Sequence, residues 1–199
     1  MQPILKLVIL GRDGILNLYR EGHVKAPEEW LPVPGALEAV ARLNHAGWHV
    51  VVATNQAGIG RGMIDMASVN SVHARMHQAM HAVGARLDAV FFCPHTPEDG
   101  CECRKPLPGM LLEVGERYGI DLRQVSMVGD TLRDLQAAQA AGCQPHLVRT
   151  GRAAALDEAQ LDAMLAQVPA TEVHHDLAAF AEFMLAREHV HDSGPGPLR

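Results

Sequence analysis

The stretch LVILGRDGIL, Leu7–Leu16, is an apolar run that stops at Gly11-Arg12-Asp13-Gly14. Apolar residues in sequence without alternation are the pattern of a strand buried on both faces. The polar, glycine-flanked tetrapeptide after them reads as a tight turn. A buried strand that opens into such a turn is a common setting for phosphate chemistry. One carboxylate, Asp13, stands in the turn. Two residues before it is Gly11, which offers no side chain at all.

The same pattern recurs downstream. Leu5–Leu10, Trp48–Thr54, Asp88–Cys93, Val125–Asp130 and Pro145–Thr150 read as strands, and TEVHH (Thr171–His175) as a short further one. Between them the spacing predicts helices over Gly35–His45, Ala67–Val83, Gly109–Tyr118 and Thr131–Ala141. Val69, Val72, Met76, Ala79 and Val83 follow the i, i+3, i+4 repeat of one helix face. Gly142 follows an alanine-rich helix as a C-terminal cap. Two more helices are expected within Asp157–Ala186. Near-continuous apolar strands alternating with helices predict a parallel sheet covered on both faces, a three-layer α/β/α sandwich. One domain is expected over residues 1–188, with residues 189–199 (HVHDSGPGPLR) a disordered tail.

Length and composition agree. A chain of 199 residues, 48% hydrophobic, fits one domain with a core that needs no disulfide staples. The net charge of −6 argues against a dedicated nucleic-acid surface. No run reaches the length of a membrane span, and MQPILKLVIL lacks the basic start of a signal peptide. The expectation is a cytoplasmic, monomeric protein that takes a small molecule, with no nucleic-acid or membrane partner.

In parallel sheets, ligands bind beyond the carboxyl ends of the strands. Those ends carry Asp13 after the first strand, Thr54 at the second, Lys105 in the loop after the third and Asp130 at the fourth, with Asp134 one helical turn on. A hydroxyl and an ammonium can hold phosphate oxygens, a carboxylate can hold Mg²⁺, and a second carboxylate can move a proton. A lone strand-end aspartate is more often a helix cap or turn residue. Several such groups in chain order are far more specific.

That order, with GRDGILN, TNQAGIGRG, CPH, CECRKPLPGM and VGDTLRDLQAA, resembles the haloacid-dehalogenase (HAD) superfamily of phosphatases. Within it the chain is similar to the small, largely capless heptose 1,7-bisphosphate 7-phosphatases, relatives of the histidinol-phosphate phosphatases. The resemblance implies a Mg²⁺-dependent phosphoric monoester hydrolase with an aspartyl-phosphate intermediate. It also implies a role in supplying heptose for lipopolysaccharide core. In the family's Asp-x-Asp-Gly motif the first aspartate is the nucleophile and a metal ligand, and the second is the general acid/base. Asp13 and Gly14 match the second half of it, and Gly11 occupies the nucleophile position. The resemblance places phosphate or substrate contacts at Thr54, Asn55, Arg61, Arg104 and Lys105. It places Mg²⁺ at Asp13 and Asp130, and Asp130 and Asp134 match the fourth motif.

A second constellation is Cys93-Pro94-His95 followed by Cys101-Glu102-Cys103. Three thiolates and an imidazole on one loop fill a tetrahedral Zn²⁺ site and leave no open position, so the zinc is structural. Its role would be to pin the loop that carries Arg104 and Lys105. The remaining cysteine, Cys143, reads as a small buried hydrophobe. His73, His77 and His81 read as a solvated helix face, and His174 and His175 as surface residues.

With Gly11, the groups that bind phosphate remain and the group that attacks it is gone. Three readings stay open: a changed residue in a working phosphatase, a natural variant that kept only binding, and a chain turned to another reaction. The alternatives to an impaired heptose-bisphosphate phosphatase are a non-catalytic sugar-phosphate binder and a histidinol-phosphate phosphatase relative.

Overall fold

In the computed structural model, residues 5–192 are described. Six parallel strands, β1 (Leu7–Leu10), β2 (His49–Asn55), β3 (Ala89–Cys93), β4 (Ser126–Gly129), β5 (Gln144–Val148) and β6 (Glu172–His174), form one sheet in the order β3-β2-β1-β4-β5-β6. The helices are α1 (Ala36–His45), α2 (Ala57–Gly60), α3 (Met66–Ala82), α4 (Gly109–Tyr118), α5 (Leu132–Ala141), α6 (Glu158–Leu165) and α7 (Leu177–Asp192). This is the α/β/α sandwich that the apolar runs predict. Because α7 extends to Asp192, the first four residues of the expected tail continue that helix; residues 193–199 lie outside the described residues.

Strand alternation decides which helices cover which face. From β1, Val8 and Leu10 point with Val50, Val52, Val128 and Val148 into a core closed by α1, α3 and α7. Leu7 and Ile9 point the other way, with Val51, Ala53 and Met127, against Met110, Leu111 and Val114 of α4 and Ala137 and Ala138 of α5. Leu177, Phe180, Ala181 and Met184 give α7 its buried stripe at i, i+3, i+4, i+7. Among the described residues no helix is long and apolar enough to cross a membrane.

The chain runs outward from β1 to β2 and β3, then returns to lay β4 on the other side of β1. The strand order therefore reverses between β1 and β4, and a crevice opens beyond their carboxyl ends. The Gly11 amide donates to the Val128 carbonyl at 2.9 Å, which seats the turn after β1 directly beside β4.

Two expectations about histidines are corrected here. His174 is buried, not at the surface: it stacks on His146, with Nδ1 of His146 3.0 Å from its Nε2, and Phe180 and Phe183 close around the pair. His73 does not share the solvated face of His77 and His81. It turns inward, with its Nε2 3.3 Å from Nη1 of the buried Arg12. The helical period located the helix correctly, but which side of α3 meets the turn after β1 is a tertiary fact.

Burial, then the charges of His174 and Arg187, push His146 down to about 3. An unfolded histidine takes up its proton near pH 6.5. Between those values the unfolded chain binds more protons, so stability falls as the pH drops below about 6.5. Urea titrations at pH 7.5 and 5.5 should show a loss of about 1 kcal/mol from this residue, and a His146→Gln variant should show a shallower pH slope. An unchanged slope would contradict the burial of a neutral His146.

Candidate active site

The crevice is a cleft of about 440 Å³ lined by residues that follow β1, β2, β3, β4 and β5. It gathers Gly11, Asp13, Thr54, Asn55, Arg61, Arg104, Lys105, Asp130 and Asp134. Every residue singled out above for phosphate, substrate or Mg²⁺ thus lies on one wall or another of the same space.

Asp13 sits in a dense set of donors. Arg12 Nη2 lies 3.0 and 3.1 Å from its two oxygens, Asn17 Nδ2 donates at 2.9 Å and Gln56 Nε2 at 3.1 Å. Burial alone would raise this carboxyl, but the Arg12 charge and the bonds from Asn17, Arg12 and Gln56 hold it below the usual carboxylate range. These partners favour the carboxylate form of Asp13. Gln56 also donates to Thr54 Oγ1 at 2.9 Å, which fixes that hydroxyl at the end of β2.

Lys105 is almost fully buried. Its Nζ lies 2.6 Å from Asp134 Oδ1 and donates to the Ala53 carbonyl at 2.7 Å. Asn55 grips the Lys105 backbone from both sides: Oδ1 accepts from its amide at 3.1 Å and Nδ2 donates to its carbonyl at 2.9 Å. Asn55 thus acts on the lysine's position. Asp134 also closes a capping box, accepting from the Thr131 hydroxyl at 2.7 Å and the Thr131 amide at 3.1 Å. Its carboxylate serves the start of α5 and neutralises Lys105.

Asp130 ends β4. Burial and the neighbouring Asp134 charge push it up to about 7. Its Oδ2 accepts from the Arg152 amide at 2.8 Å, and its Oδ1 has no protein partner among the described residues. Gly14, at φ +82°, and Gly151, at φ +54°, flank this carboxylate; a Cβ on either would run into Oδ2. Glycine is required there by both conformation and space.

Gly11 is different. Its φ is ordinary, and a Cβ would meet only Ile15 Cγ1 at 3.1 Å and the Val128 carbonyl at 3.6 Å. A shift of a few tenths of an ångström in Ile15 admits a side chain. The fold does not call for glycine at this position.

The Cys/His cluster is also assembled. Cys93 Sγ lies 3.6 Å from His95 Nδ1 and from Cys101 Sγ, Cys103 Sγ lies 3.3 Å from His95 Nδ1 and 3.5 Å from Cys101 Sγ. All four donor atoms lie within 4.8 Å of one another. Zinc–ligand bonds of about 2.0–2.3 Å give tetrahedron edges of roughly 3.5–3.8 Å, and the cluster is that size. Arg104 Nη1 donates to the His95 carbonyl at 3.2 Å, so the cluster is tied directly to a cleft arginine. Cys143 is buried away from it.

Sequence reasoning missed Arg12, Asn17, Gln56, Arg133 and Arg152. Arg12, Asn17, Gln56 and Arg133 lie inside the quoted motifs. Arg152 follows the fifth strand end, Thr150-Gly151, and strand ends are where ligands gather, so it was within reach of the same rule.

A parallel sheet with Asp13, Thr54, Lys105 and Asp130 at successive strand ends defines a HAD-like hydrolase scaffold. The HAD-hydrolase-like family model matches residues 102–180. The D-glycero-β-D-manno-heptose-1,7-bisphosphate 7-phosphatase of Bordetella bronchiseptica is 50% identical over 184 residues, 91% of this chain and 98% of that protein. The enzyme of the same name from Pseudomonas aeruginosa is 50% identical over 146 residues, 73% and 82% of the two chains. The crystal structure of the B. bronchiseptica D,D-heptose 1,7-bisphosphate phosphatase complexed with magnesium and phosphate superimposes with a TM-score of 0.85 over 92% of this chain and 99% of that one, at 50% identity. The chain belongs to the heptose-1,7-bisphosphate 7-phosphatase family of HAD-like hydrolases.

Alanine substitutions separate the two glycines of the turn. Gly11→Ala should leave chemical-denaturation stability within about 1 kcal/mol of the parent. Gly14→Ala should cost about 2–5 kcal/mol, since strain at positive φ and overpacking against Asp130 add. Equal losses at the two positions would contradict the assignment of free space at Gly11.

Proposed function

We propose that this chain binds D-glycero-β-D-manno-heptose 1,7-bisphosphate in the cleft and that Gly11 disables release of its 7-phosphate. The observation that carries this reading is the gathering of Thr54, Lys105 and Asp130 around the bare backbone of Gly11. The relatives' names and the magnesium and phosphate of the B. bronchiseptica structure support it.

The donor set fits Mg²⁺. Asp130 Oδ1 is without a protein partner among the described residues, and Mg²⁺ commonly takes one or two carboxylates and completes its shell with water and phosphate oxygens. Asp130 and Asp13 would hold it, and when bound it supplies charge neutralisation for the phosphate oxygens. The Cys93, His95, Cys101 and Cys103 set fits structural Zn²⁺ by softness and size. Its role is to hold the Arg104–Lys105 loop.

The chain's own residues do the rest. Thr54 Oγ1 and Lys105 Nζ hold the 7-phosphate at the end of β2, and Arg61 and Arg104 hold the substrate beyond it. In a chain with aspartate at position 11, that carboxylate attacks phosphorus and displaces the sugar oxygen. Asp13, once it has taken up a proton from solvent, is the group placed to deliver it to that oxygen, and the carboxylate this regenerates then takes a proton from the water that cleaves the acyl phosphate. With glycine there, no side chain attacks. Asp13 does not substitute for it, because its carboxylate is tied to Arg12, Asn17 and Gln56 and begins two residues further along the chain. The setting we propose is a cytoplasmic monomer in heptose supply for lipopolysaccharide core.

Loss of an activated nucleophile costs on the order of 10⁶ in turnover. Gly11→Asp should therefore raise Mg²⁺-dependent phosphate release from heptose 1,7-bisphosphate by about 10⁴- to 10⁶-fold. Histidinol phosphate should be the poorer substrate. A variant that releases phosphate from no sugar phosphate would overturn the reading.

A further inference from the structure

The cleft holds more positive charge than the 7-phosphate and its loop require. Several arginines of the protein find carboxylates: Arg20 at the cleft with Glu29 at 3.3 Å, and outside it Arg42 with Glu182 at 3.4 Å, Arg123 with Asp121 at 2.7 Å and Arg149 with Glu158 at 3.0 Å. Arg133 and Arg152, which line the cleft, have no carboxylate within ion-pair distance among the described residues. They come from the β4–β5 side of β1, whereas Arg61 and Arg104 come from the β2–β3 side.

Arg152 is held in an unusual way. Its amide is fixed to Asp130 Oδ2 at 2.8 Å, next to the reacting centre. Its side chain lies on Tyr19: Nη2 donates to Oη at 2.8 Å, and Cζ lies 4.5 Å from the ring centroid. Tyr19 is 40% exposed and belongs to the loop after β1, so the contact bridges two loops across the cleft mouth. Both partners offered by Tyr19 are neutral. A phosphate dianion would outcompete them, because guanidinium–phosphate hydrogen bonds are charge-assisted and bidentate. Arg133 is crowded as well: burial, then the charge of Arg152, disfavours its own. An anion between the two would relieve that repulsion.

Resting on the reading above, we propose that Arg152, with Arg133 beside it, binds the second phosphate of the bisphosphate, the one that is not cleaved. Tyr19 holds the Arg152 side chain until that phosphate displaces it. Both arginines are exposed and follow β4 and β5, whereas Thr54 and the Lys105 loop belong to β2 and β3, which assigns the clamp to the distal end of the substrate. Arg152 is then a specificity-determining residue: it distinguishes a sugar bisphosphate from a monophosphate.

The test uses the chain as it stands, whose Gly11 removes turnover from a binding measurement. Calorimetric titration in Mg²⁺ compares heptose 1,7-bisphosphate with the same heptose carrying only the 7-phosphate. Arg152→Ala keeps the backbone amide that holds Asp130. It should weaken the bisphosphate by about 10- to 100-fold and leave the 7-phosphate within about 2-fold. Tyr19→Phe keeps the ring and removes the competing acceptor, and should tighten the bisphosphate by about 2- to 5-fold. Equal weakening of both ligands by Arg152→Ala, or no change in either, would overturn the proposal. Weaker binding in Tyr19→Phe would overturn the holding role. If the parent chain binds neither ligand, the functional reading falls with it. If the parent prefers the bisphosphate and Arg152→Ala keeps that preference, only this inference fails.

Discussion

A buried ion pair organises the cleft. Lys105 Nζ and Asp134 Oδ1 meet at 2.6 Å with almost no solvent, and the same ammonium reaches the Ala53 carbonyl. Three elements converge there: the end of β2, the loop after β3 and the first turn of α5. A buried ammonium without its carboxylate costs several kcal/mol, and breaking such a pair typically costs about 3–5 kcal/mol. The lysine can be buried at the cleft only because Asp134 comes with it. Asp134 is brought there by the Thr131 capping box, which is a local sequence device. Asn55 and the Cys/His cluster then fix the loop from its two ends.

Electrostatics at the cleft run against those of the whole protein. The chain carries a net charge of −6, yet the cleft lining has seven arginine and lysine side chains and three aspartates. Asp13 and Asp134 are matched by Arg12 and Lys105. The positive charge left over lies on the rims, where it focuses attraction for a dianionic ligand. The strand order supplies this geometry: β1 and β4 lie side by side at the reversal, and arginines reach in from both flanks.

Much of this was legible in the sequence because it is local. Apolar runs gave the six strands to within two residues, since both sheet faces are covered and no polar alternation confuses the period. Asp13, Thr54 and Asp130, read at strand ends, and Lys105, read in the loop after the third strand, line one cleft because the ends of parallel strands share one edge of the sheet. The Cys/His spacing gave a cluster that does close in space. What was not legible depends on contacts between distant segments. His73 is pulled inward by Arg12, 61 positions away. His174 is buried because β6 pairs with β5, which puts it against His146. Arg152 matters through Tyr19, 133 positions away. No local period carries such pairings.

At Gly11 the scaffold and the proposed chemistry part. The turn after β1 has room for a side chain there, with ordinary backbone, and the groups around it remain in place. The central claim is that the site binds its substrate and lacks only the attacking atom. Phosphorus NMR of the parent chain with Mg²⁺ and heptose 1,7-bisphosphate tests it most directly. The account predicts two phosphorus resonances that shift on binding and persist, with no inorganic phosphate, while Gly11→Asp converts the same sample to heptose 1-phosphate and phosphate. Turnover by the parent at a rate comparable to the variant would contradict it.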